Sequence, residues 1–136
     1  MCSSDLTLDA AAASPAFGMV VPSAVPAGLT PTVARYEPET YGAAGSMRLY
    51  LAFTTDSGDF VSVWQSNGGM AKVVDNATNG GTCETPVPAD GWERCSKAKP
   101  LTRALVKLNE QGVVVVSGTA DWAVIEAVRD SLTPLN

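Results

Sequence analysis

At 136 residues, with 46% hydrophobic and 17% charged side chains, the chain has the size of one domain and a composition that excludes a disordered protein. Nine Lys plus Arg stand against 14 Asp plus Glu, a net charge of −5, which excludes a basic nucleic-acid footprint and a polybasic membrane patch. No window reaches the roughly 18 apolar residues that span a bilayer, and no basic n-region followed by an apolar h-region marks a signal peptide.

The first fifteen residues carry no apolar periodicity. LTLDAAAASP, ending at Pro15, reads as a tail or linker, so the division is 1–15 as an N-terminal segment and 16–136 as a single domain. FGMVVP is a short apolar run, and PSAVPAGLTP behind it is broken by Pro22, Pro26 and Gly28. TVARYEP alternates Val33, Arg35 and Glu37 against Ala34 and Tyr36, predicting a strand stopped by Pro38. In SMRLYLAFTT, Met47, Leu49, Leu51 and Phe53 share one face, as a half-buried strand requires. DSGD supplies a turn and FVSVWQS the returning strand. Met70, Val73, Val74 and Ala77 then fall on one stripe of a short helix, with Asn67 as the expected cap. A loop follows, with a brief strand near Trp92–Lys97. LTRALVKL and VVVVSG predict a second hairpin, and Val113–Val116, apolar on both faces, a central strand. Val124, Ile125, Val128 and Leu132 line a last helix, with Thr119 as the expected N-cap and Pro134 as its stop. The order implies an α+β fold: a mainly antiparallel sheet of about six strands, with a short middle helix and a C-terminal helix packed on it.

Cys83 and Cys95 flank a stretch containing Pro86, Pro88 and Gly91. A disulfide closing that loop contributes about 3 kcal/mol in the chain-entropy picture. The alternatives are two free thiols or half of a zinc site, and a chain without histidine is poorly equipped for the latter. We therefore expect a disulfide and, with it, an oxidising compartment outside the cytoplasm.

Catalytic signatures are scarce. Without histidine, the commonest general base and every Ser-His or Cys-His pairing are missing. Ser117 with Lys107 is one conceivable nucleophile and base, but Ser117-Gly118-Thr119 reads better as a strand-to-helix turn. Asp56 and Asp59 suit hairpin chemistry and lack the ligand count of a calcium loop. Gly68–Met70 has neither a GxGxxG nor a following Lys-Ser/Thr, so it is a poor phosphate cradle. We expect no enzyme, no metal and no cofactor. The candidate binding residues are Trp64 and Trp122, as aromatic anchors for a glycan or peptide, although aromatics in a small domain more often fill its core. Arg35 and Tyr36 are separate candidates, either surface contacts or one solvated and one buried strand position.

VPAGLTPTVARYEP, LAFTTDSGDFVSVWQSNG, DGWERC and VVVVSGTA…IEAVRDSL together resemble an actinobacterial family of membrane-anchored proteins, domain-of-unknown-function family 4245. The resemblance runs from Ala16 to Leu135. It implies a basic N-terminus, one transmembrane helix, a linker and this domain outside the membrane, and it carries no catalytic residues. The helix is missing here, and the Cys83–Cys95 loop is longer than the family pattern, so the disulfide rests on the argument above. Met1–Leu6, MCSSDL, is residue for residue the translation of the end of a common sequencing-library adapter read from a GTG start. We expect it to be an artefact at a truncated gene, with the membrane helix lost upstream, rather than a lipoprotein start at Cys2. The functional expectation is a non-catalytic extracytoplasmic domain that binds an envelope component or protein partner. The alternatives are an apolar-ligand carrier with a pocket between sheet and last helix, lined by Leu49, Phe53, Val115 and Ile125, and a hydrolase lacking histidine.

Overall fold

The computed structural model describes residues 19–40, 44–85, 88–99, 101–108 and 112–134. The expected linker at 1–15, with Met1–Leu6, lies outside them. Nine strands and two helices alternate along the described chain. β1 is Val20–Pro22, β2 Leu29–Pro38, β3 Met47–Thr55 and β4 Phe60–Ser66; α1 is Met70–Thr78. β5 is Thr82–Cys83, β6 Glu93–Ala98, β7 Leu101–Leu108 and β8 Val113–Gly118; α2 is Trp122–Ser131, and β9 is Leu132–Pro134. No described helix is long and apolar enough to cross a membrane.

Seven strands form one antiparallel sheet in the order β2-β3-β4-β8-β7-β6-β5, and β1 pairs with β9 in a separate two-stranded ribbon. The sheet thus has seven strands rather than about six. The additional pairings come from segments of two or three residues, too short to show an alternation.

β8 is the middle strand, and all six of its residues are buried. Its side chains divide by parity. Val114 and Val116 join Leu49, Leu51, Phe53, Val61, Val63, Leu105, Ile125 and Val128 in the core beneath α2 and the β1–β9 ribbon. Val113 and Val115 join Val73, Ala77, Ala104, Val106 and Cys95 beneath α1. The two helices therefore lie on opposite faces of the sheet.

The helix caps differ from expectation, because both predicted capping residues tie strands instead. Asn67 Oδ1 accepts from the Met47 N–H (2.8 Å), closing the open end of the β3–β4 hairpin, and Gly69 in left-handed conformation precedes α1. Thr119 Oγ1 accepts from the Phe60 N–H (3.1 Å) and donates to Asp59 (3.2 Å), while Asp121 occupies the N-cap of α2. β1 is held by a side chain. Buried Gln65 on β4 accepts from the Val20 N–H (2.7 Å) and donates to the Val20 carbonyl (2.6 Å).

Candidate functional site

A sheet of seven strands is about 29 Å wide, whereas the nine residues of α1 span only about 14 Å. One short helix cannot cover the whole face. α1 lies over β4, β6, β7 and β8. Beside it, β2, β3 and β4 form the floor of a groove of about 300 Å³, with Val73 and Asn76 of α1 as one wall.

Strand register sets the floor in two rows. Arg35 lies opposite Tyr50, and Tyr50 opposite Trp64; one row along, Glu37 lies opposite Arg48, and Arg48 opposite Ser66. The Tyr50 and Trp64 rings meet edge-to-face, with centroids 4.8 Å apart. The indole is pinned, because Trp64 Nε1 donates to Ser62 Oγ (2.8 Å) and the Ser62 hydroxyl lies within hydrogen-bonding distance of the Ser117 carbonyl (3.2 Å).

Charge is unevenly spread along the groove. Arg48 donates from Nε and Nη2 to Glu37 Oε1 (3.1 and 2.8 Å). Its Nη1 lies 3.7 Å from a carboxylate oxygen of Glu39, whose side chain is 1% exposed. Two carboxyl groups thus share one guanidinium at that end. At the other end Arg35 is exposed and, among the described residues, makes no hydrogen bond or ion pair. The Tyr50 hydroxyl and the Asn76 side-chain amide, both at the groove, likewise have no hydrogen-bond partner among the described residues.

Of the four binding candidates read from the sequence, the groove brings together Arg35 and Trp64. Tyr36 sits one residue out of phase, opposite Leu49, and packs against the core on the α2 face. Trp122 lies on that face too. Arg94 stacks over its ring at 4.5 Å and forms an ion pair with Glu126. Sequence reasoning missed Tyr50, Arg48, Glu39 and Asn76. The signal for Tyr50 was available: once the DSGD turn fixes the hairpin, Tyr50 and Trp64 become cross-strand neighbours.

The other constellations separate or resolve into structure. Ser117 is buried on the α1 face, while Lys107 lies opposite Val114 on the α2 face, so the pair does not meet. Asp59 belongs to the hairpin turn, its carbonyl accepting from the Thr55 N–H (2.9 Å). Leu49, Phe53 and Ile125 pack into one cluster, whereas Val115 belongs to the cluster on the opposite face, so the four do not line a common pocket. Cys83 and Cys95 are directly opposed on β5 and β6 and joined by a disulfide. The Glu93 carboxylate lies within 4.8 Å of both sulfurs, but a closed disulfide offers a metal no thiolate.

No curated protein matches the chain. The sequence profile of the family described as "Protein of unknown function (DUF4245)" matches residues 3–132, nearly the whole sequence. That span includes the floor and the helical wall of the groove and the disulfide-linked strands, and this chain belongs to that family.

Proposed function

We propose that this chain is the non-catalytic binding domain of a membrane-anchored actinobacterial envelope protein, and that the groove between α1 and β2–β4 receives its ligand or partner. The observation that carries the reading is the groove itself. It sets a pinned aromatic pair beside hydrogen-bond donors that no other described side chain engages, the mix of apolar wall and few polar groups typical of ligand sites. The proposed address, outside the cytoplasmic membrane, is supported by the Cys83–Cys95 disulfide and by the family resemblance.

Nuclear magnetic resonance of the ¹⁵N-labelled domain with a set of small aromatic and aliphatic fragments tests the groove. Shifts concentrated on Tyr50, the Trp64 indole, Val73 and Asn76 are expected; hits scattered over the surface contradict the reading. For the address, a membrane-impermeant protease added to intact cells producing the full-length protein should remove the domain. A protected domain contradicts an external location.

A further inference from the structure

The ligand class can be narrowed further, on the premise that the groove is a binding surface. We propose that it takes the carboxyl-terminal residue of a polypeptide, with the terminal carboxylate on Arg35 and an apolar or aromatic side chain against Tyr50 and Trp64.

Size comes first. About 300 Å³ stands at the lower end of ligand pockets, which run to roughly 1,000 Å³. That suits a terminal residue better than a long extended segment. Charge comes second. The guanidinium of Arg35 is the cation at the groove with no partner among the described residues, and its fork matches a carboxylate bidentately. The Tyr50 hydroxyl, directly across from it in register, is a further donor.

The opposite end explains why the anion should be single. There Glu37 and Glu39 share Arg48, so a second negative group on the ligand meets carboxylates rather than a free cation. The same carboxylates accept N–H groups. Arg35 and Glu37 occupy one side of β2 two residues apart, about 7 Å along the strand. An extended chain covers that distance in about two residues. A terminal carboxylate on Arg35 therefore brings a nearby backbone N–H towards Glu37.

Three probes separate this chemistry from its neighbours: N-acetyl-Ala-Phe as the free acid, the same peptide as its C-terminal amide, and phenyl phosphate. In titrations followed by ¹⁵N shifts, the acid should saturate at Tyr50, Trp64 and Asn76. The amide and the phosphate should bind at least about tenfold more weakly, the loss expected for a charge-assisted contact. Arg35→Gln should reduce the acid to the affinity of the amide, and Arg35→Lys should retain part of the difference. Arg35 is exposed, so an unchanged spectrum outside the groove serves as the folding control. Equal binding of acid and amide within the groove, or tighter binding of the phosphate, overturns the ligand class and leaves the groove standing. No groove shift with any probe overturns the ligand class; if the fragment set also fails to shift these residues, the groove reading falls with it.

Discussion

Arg48 links the groove to the stability of the fold, because it serves a half-exposed acid and a buried one from a single side chain. Removing it takes an ion-pair partner from the buried Glu39 carboxylate, and weakening the pairing of a buried charge is costly. With Arg48 itself about a third exposed, Arg48→Met should lower unfolding stability by about 2 kcal/mol in urea denaturation, and adding Glu39→Gln should recover part of the loss. Gly118 is constrained by space. A Cβ there would collide with the Phe60 carbonyl on the neighbouring strand, so Gly118→Ala should cost about 2 kcal/mol. At this scale the sequence was readable in type and misleading in partner. Arg35 and Tyr36 are adjacent in the chain, yet a strand sends them to opposite faces, and only Arg35 reaches the groove. Asn67 and Thr119 have the chemistry of caps, but the same oxygens serve strand ends just as well, and local spacing does not say which donor arrives first.

Elements with clear periodicity were legible, and elements fixed by tertiary contact were not. The β3–β4 hairpin, the buried β8 and the apolar stripes of both helices follow from alternation and from 3.6-residue spacing. β1 follows from neither. It is defined by Gln65 some 45 residues away and by its pairing with β9. Gln65→Ala should therefore expose Val20–Pro22 to faster amide hydrogen exchange while protection of β4 and β8 is retained. The unpaired backbone groups of Val20 should cost about 2 kcal/mol. β5 likewise is a strand because Cys83 is bonded to Cys95, twelve residues on. Replacing both cysteines by serine should cost about 3 kcal/mol in thermal or chemical unfolding. Its local signature should be lost exchange protection at Thr82–Glu84, with β7 and β8 unaffected.

For the molecule as a whole, the decisive quantity is the mismatch between a nine-residue helix and a seven-stranded sheet. The sequence specified both helices and their apolar stripes, but nothing in a stripe says which face of a sheet it will cover. Placing α1 and α2 on opposite faces is what leaves β2 and β3 open beside α1, and the register then collects Arg35, Tyr50 and Trp64 into one row. The most direct test of that account is to fill the groove from its helical wall. Asn76 is exposed on α1 and lines the cavity, so Asn76→Trp should leave the fold and melting temperature nearly unchanged. In the ¹⁵N titration, fragment-induced shifts at Tyr50 and Trp64 should disappear in this variant. Unaltered shifts at those residues, with the groove plugged, would contradict it.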